Sequence, residues 1–213
     1  MSEAVAYEHA VESRAPAPVH HHHPVYDYDS GPPVERGKFA IWLFLATEVM
    51  FFSGLIGAYI VLRSAAKSWP DPQDRLAVNI TAVNTFFLIT SSWTMVKAVF
   101  AAKRGEKGKL LRWLAATIGI GSTFVSIQVY EYIQLYREGA LPHVDLFWST
   151  FYVMTGFHGS HVIVGVIWLT VVWFRALAGK YTERNNLGVE LAGLYWHFVD
   201  LVWVLLFTIV YLF

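Results

Sequence analysis

No cysteine occurs anywhere in the 213 residues. That absence excludes disulfides, iron–sulfur clusters, thiolate copper sites and thiol catalysis together. Net charge is missing too: 16 Lys and Arg balance 16 Asp and Glu, which makes no electrostatic case for nucleic acid or an acidic partner. Residues 1–37 lack the apolar core of a signal peptide. No internal repeat is visible, which disfavours a transporter built from inverted halves. What the chain does have is apolar surface. Hydrophobic residues make up 55% and aromatic residues 16%, too much for an ordinary soluble domain.

The apolar residues fall into five runs, at 38–62, 76–100, 111–136, 146–174 and 187–213. A run of ~20 residues or more spans a ~30 Å hydrocarbon core as a helix. The expected fold is therefore all-α, an integral membrane bundle of five helices over residues 38–213. Residues 1–37 form a separate polar tail, too poor in apolar residues to offset its ordering entropy. Four histidines at 20–23 sit in that tail without a rigid frame to present them to a metal. Twelve of the 16 Lys and Arg lie in the tail, around the basic loop 103–109 and near the loop 179–186. By the positive-inside rule the N-terminus is expected in the cytoplasm and the C-terminus outside.

Few polar groups interrupt the spans, and each must find a partner. An ionisable group at the bilayer centre costs about 2.5–3.5 kcal/mol even on lenient scales. The first span carries Glu48 and a small-residue patch of Gly54, Gly57 and Ala58, where a neighbouring helix could approach closely. The second carries Asn84 and the hydroxyls Thr90, Ser91, Ser92 and Thr94; the third carries Gln128, Glu131 and Gln134 towards the outer interface. The fourth contains FYVMTGFHGSHVIVG, with His158 and His161 three residues apart and Gly156 and Gly159 placed for close helix packing. The fifth carries Glu190, His197 and Asp200. At ~1.5 Å per residue, Glu48, Asn84, His161, His197 and Asp200 come to similar depths, roughly 12–20 Å from the inner face.

Two pairings are expected from this: Glu48 with one or both histidines of the fourth span, and His197 with Asp200 within one helix at i, i+3. Such groups also suit a di-metal site, but that site uses a Glu-x-x-His motif on each of two helices. No span contains one, so no metal is expected. A structural polar cluster and a proton- or lipid-linked role both remain open on the residues alone.

FLATEVMFFSGLIGAYI in the first span, FYVMTGFHGSHVIVG in the fourth and YWHFVDLVWVLLFTIVYLF in the fifth resemble subunit III of the haem–copper cytochrome c oxidases. QVYEYIQL in the third fits the corresponding helix. The resemblance covers residues 38–213 and is closest to the short five-helix bacterial form, in which the first two helices of the long form come from another chain or are missing. It implies an accessory subunit of a proton-pumping terminal oxidase in the bacterial cytoplasmic membrane, a complex that reduces oxygen to water. Haem and copper would lie in subunits I and II and none in this chain. Subunit I would be the direct neighbour, with subunits II and IV further partners and cytochrome c met only through the complex.

The resemblance further implies bound phospholipid and support for proton uptake. Glu48 matches the family's buried carbodiimide-reactive carboxyl, and His158, His161, Glu190, His197 and Asp200 match its recurrent polar positions. Arg175 matches a lipid-phosphate position, with Arg63 and Lys180 as further headgroup partners. An arginine fork fits phosphate, although snorkelling to the interface accounts for the same three residues. The alternatives are the equivalent subunit of a quinol oxidase, an accessory protein of nitric oxide reductase, an autonomous metalloenzyme built on His158 and His161, and a small transporter.

Overall fold

The computed structural model describes residues 36–212. The four histidines at 20–23 and nearly all of the expected tail lie outside the described residues. Among those described, the regular structure is helical. The five long helices are α1 (Arg36–Ala65), α2 (Val78–Lys103), α3 (Lys107–Arg137), α4 (Leu146–Leu177) and α5 (Leu187–Phe207), the last continuing as a π-helical turn over Thr208–Leu212. Each is long and apolar enough to cross a membrane. Lipid offers a backbone no hydrogen bonds, so an apolar run crossing it must satisfy its amides internally, as a helix does.

The connections are short and chemically specified. A single turn, Pro72–Arg75, follows α1; Asp71 caps it by accepting the Gln73 N–H at 2.9 Å, and proline takes the first helical position, where no N–H is needed. Asp145 starts α4 by accepting the Trp148 N–H at 2.9 Å. Helices α2, α3 and α4 all end at a glycine with positive φ, Gly105, Gly139 and Gly179. The next residue's N–H then reaches back five residues, Glu106 to Ala101, Ala140 to Leu135 and Lys180 to Arg175. A β-carbon would strain that conformation. Helix α3 begins at Lys107, earlier than its apolar run, because one tight turn after α2 is all the basic loop requires.

Helices α2, α3, α4 and α5 form a ring in chain order, α5 closing back onto α2, while α1 lies outside against α4 and α5. The ring is locked by one side chain. Trp196 of α5 is fully buried and its indole lies between Gly121 of α3 and Gly165 of α4. A β-carbon on either glycine would stand 2.5 or 2.9 Å from the ring. The Trp196 Nε1–H donates to Ser91 Oγ of α2 at 2.9 Å, so a single residue touches all three other ring helices.

The tightest helix contact on α4 is at Gly165; of the expected pair, Gly159 also faces α3 closely, whereas Gly156 does not. A β-carbon on Gly156 would meet nothing nearer than the Tyr132 hydroxyl at 3.8 Å, and one on Gly159 would meet the Gln128 amide at 3.1 Å. Among the described residues the patch at Gly54 and Gly57 meets no helix: neither has a neighbour within 4 Å of a β-carbon. Helix α1 docks through Ile41, Leu45, Phe52 and Tyr59. At about 100° per residue, Gly54 and Gly57 lie roughly 200° and 140° round the helix from Phe52, on its outer side.

Candidate functional site in the membrane interior

Helix α1 docks against α4 so that Glu48 meets His161. Glu48 Oε2 stands 3.0 Å from His161 Nε2, and both side chains are mostly covered. The other ring nitrogen settles the protonation pattern. His161 Nδ1 lies 2.7 Å from the Phe157 carbonyl oxygen, which can only accept, so Nδ1 carries a hydrogen. In the neutral ring Nε2 is then a bare lone pair, and its bond to Glu48 needs one bridging proton. The pair is either a carboxylic acid donating to imidazole or a carboxylate accepting from imidazolium. Phe51 and Phe52 flank the ring, at 6.5 and 5.2 Å between centroids. The Tyr195 O–H donates to the His161 carbonyl at 3.0 Å, fixing α5 to the same turn.

His158 takes no part in this pair. It is fully buried, stacked on Trp203 of α5 at 4.9 Å with Phe124 of α3 edge-on at 6.2 Å. Neither ring nitrogen reaches a protein partner among the described residues. The residues are three apart on α4, about 60° round the helix, and that separation sends one ring towards α1 and the other into the bundle. Asn84 is buried on the α2 side, its amide donating weakly to the Phe124 carbonyl at 3.4 Å.

His197 and Asp200 do associate, but through a third residue. Ser92 Oγ lies 3.0 Å from His197 Nδ1 and donates its hydrogen to Asp200 Oδ2. Asp200 is buried, and its Oδ1 has no partner among the described residues. Serine, histidine and aspartate therefore meet across α2 and α5, yet in the wrong order for nucleophilic catalysis. A triad needs the histidine between serine and carboxylate; here the serine occupies the middle.

Glu190 lies at the N-terminal end of α5 and holds two lysines, Lys38 of α1 at 2.9 Å and Lys103 of α2 at 2.8 Å. Arg175 is in the last turn of α4 with its guanidinium 5.9 Å from the Tyr181 ring; Lys180 is exposed just beyond. Burial pushes the Tyr181 hydroxyl pKa up while Arg175 pulls it down. Arg63 is in the last turn of α1. Because successive spans alternate in direction, Arg63 and Arg175 sit at opposite membrane faces. Near the end of α3, Glu131 accepts long hydrogen bonds from Thr81 and Tyr211, each 3.4 Å.

The residues that sequence reasoning passed over are the partners. Ser92 was visible only as one hydroxyl in a run of four. Lys38 and Lys103 read as loop charges, although both flank the membrane end at which Glu190 begins α5. Among the described residues, no three His, Cys, Asp or Glu side chains gather as a metal site requires. His158 and His161 are committed to different contacts.

Fold and site together define a multi-pass, all-helical membrane protein with a small set of polar groups inside it, several of them paired across helices. Residues 25–213 match the family Cytochrome c oxidase subunit III. The chain is similar to cytochrome c oxidase subunit 3 of Synechocystis sp., 40% identical over 199 residues that cover 92% of this chain and 81% of the relative. It is also similar to quinol oxidase subunit 3 of Bacillus subtilis, 33% identical with 96% and 97% covered. Cytochrome bo(3) ubiquinol oxidase subunit 3 of Pseudomonas aeruginosa is 33% identical with 100% and 98% covered. The chain belongs to the subunit III family of the haem–copper oxidases, multi-subunit oxidoreductase complexes.

Proposed function

We propose that the chain is the accessory, non-redox subunit of a proton-pumping cytochrome c oxidase, which takes electrons from cytochrome c and reduces oxygen to water. The observation that carries its part in proton handling is the Glu48–His161 pair, a single shared proton held inside the membrane. The cysteine-free sequence supports a subunit without a thiolate-bridged copper pair, leaving haem and copper to subunits I and II. In this reading it lies in a bacterial cytoplasmic membrane with its N-terminus inside, packs directly on subunit I, and has subunits II and IV as further neighbours. Arg175 and Lys180 bind phospholipid headgroups at the inner face and Arg63 at the outer one.

A second reading has its own support, since two of the similar proteins are named as quinol oxidase subunits. One preparation separates the two. The chain is tagged, purified from native membranes in mild detergent, and examined by reduced-minus-oxidised spectroscopy and by turnover with each donor. Haem bands and oxidation of reduced cytochrome c support the first reading; haem bands with quinol as the only donor support the second. A colourless preparation from respiring membranes rejects both.

A further inference from the structure

A groove of about 320 Å³ runs inward between α2 and α5, with Lys38 of α1 at its edge. Its walls follow helical spacing: Val96, Val99 and Lys103 on α2, and Glu190, Gly193 and His197 on α5. Glu190 and its two lysines stand at one end. His197 lies two turns further along the same face, about 10 Å at ~1.5 Å per residue. One turn past Val96 on α2 is Ser92, and one turn past His197 on α5 is Asp200. The groove therefore runs directly to the His197–Ser92–Asp200 chain.

With Asp200 ionised, the hydrogens in that chain have one arrangement. Ser92 gives its only hydrogen to Asp200 Oδ2, so its oxygen accepts from His197 Nδ1–H, and the ring's lone pair is left at Nε2. We propose that the groove is a proton inlet, with His197 and Ser92 as the relay and the Asp200 carboxylate as the acceptor at its end. A proton from groove water adds to His197 Nε2. The Nδ1 hydrogen passes to Ser92 Oγ as the Ser92 hydroxyl hydrogen passes to Asp200. Water loses one proton, one O–H bond forms on the carboxylate, and His197 ends neutral as its other tautomer. It resets by exchange with groove water.

Lys38, Lys103 and Glu190 share the groove, Glu190 bridging both lysines. Lys97 rests on the Trp93 ring at 5.3 Å. From α4 the titratable group reaching α5 is His158, stacked on Trp203, and from α3 it is Glu131, held by Tyr211. Among the described residues no Lys or Arg pairs with Asp200.

The proposal rests on the oxidase-subunit reading only for where the proton goes next. It is tested on the intact purified complex in lipid nanodiscs by time-resolved infrared spectroscopy after a pH jump. The protonated-carboxyl band of Asp200 is assigned by its loss in Asp200→Asn. In the wild type this band responds to the jump. Ser92→Ala and His197→Gln slow the response by about tenfold or more with the same end point, and Ser92→Thr, which keeps the hydroxyl, responds as the wild type does. A wild-type band indifferent to pH, as an acyl chain filling the groove would produce, overturns the inlet. A Ser92→Ala band as fast as wild type overturns the relay. Haem content of the same samples judges the oxidase reading separately.

Discussion

Glu48 and His161, 113 residues apart in sequence, share one hydrogen bond of 3.0 Å whose proton count is set by a backbone carbonyl. Because Phe157 O claims the Nδ1 hydrogen, anything that replaces Glu48 must supply a donor to Nε2. Glu48→Gln does so through its amide and should keep the contact while removing the exchangeable acid. The complex is expected to assemble in near wild-type amount, with proton-coupled turnover slower or less durable. Glu48→Ala leaves Nε2 without a partner and should cost about 1–3 kcal/mol, seen as a lower yield of the intact complex. Loss of the subunit in the glutamine variant would mean that Glu48 acts only in assembly.

Gly165→Ala tests the Trp196 lock. Its new β-carbon would lie 2.9 Å from Cε3 of a fully buried indole, and in Gly121→Ala the gap to Cη2 is 2.5 Å. Overpacking of this kind costs about 1–3 kcal/mol. Combining Gly121→Ala with Trp196→Phe should recover part of the loss, because the smaller ring withdraws the clashing edge. Thermal unfolding of the complex in detergent measures both. Additive losses would show that the glycine and the tryptophan do not act on each other.

The five spans and the residues that bear charge inside them were legible because a bilayer makes strong demands. Apolar runs of sufficient length must be helices, and ionisable groups among them must be held. Pairing was legible only in part. Depth brought Glu48 level with His161 but could not choose between His161 and His158, since that choice depends on how α1 docks. The same limit hid Ser92: His197 and Asp200 share a helix, and spacing alone suggests direct contact, whereas α2 inserts a hydroxyl between them. The α4 glycines were legible in part for a related reason. Gly159 does face α3 closely, but the large residue that needs a glycine slot is Trp196, thirty-one positions beyond Gly165.

Gly156→Ala should be harmless or mildly stabilising. Space at Gly156 is open to 3.8 Å and its backbone is ordinary helix. Removing a mid-helix glycine gains roughly 0.5–1 kcal/mol. Gly159→Ala is expected to be worse, since its β-carbon would approach the Gln128 amide, which donates to the Thr155 carbonyl at 3.1 Å. Comparing the two variants by thermal unfolding gives the order. A larger loss at Gly156 would place α3 closer to α4 than the structure has it.

Glu190→Gln should loosen α1 while leaving the four-helix ring closed. Among the described residues helix α1 buries four residues and packs mainly on α4 and α5, and the Lys38–Glu190 bridge is one of its attachments at that end. The lysines are about half exposed, which limits each bridge to roughly 0.2–1 kcal/mol. The global unfolding midpoint is therefore expected to move little. Amide hydrogen exchange should rise in the first turns of α1, around Lys38 to Trp42, and stay unchanged in α3 and α4. Equal acceleration across all five helices would show that Glu190 holds the whole bundle, and unchanged exchange in α1 would show that Ile41, Leu45 and Phe52 suffice to dock it.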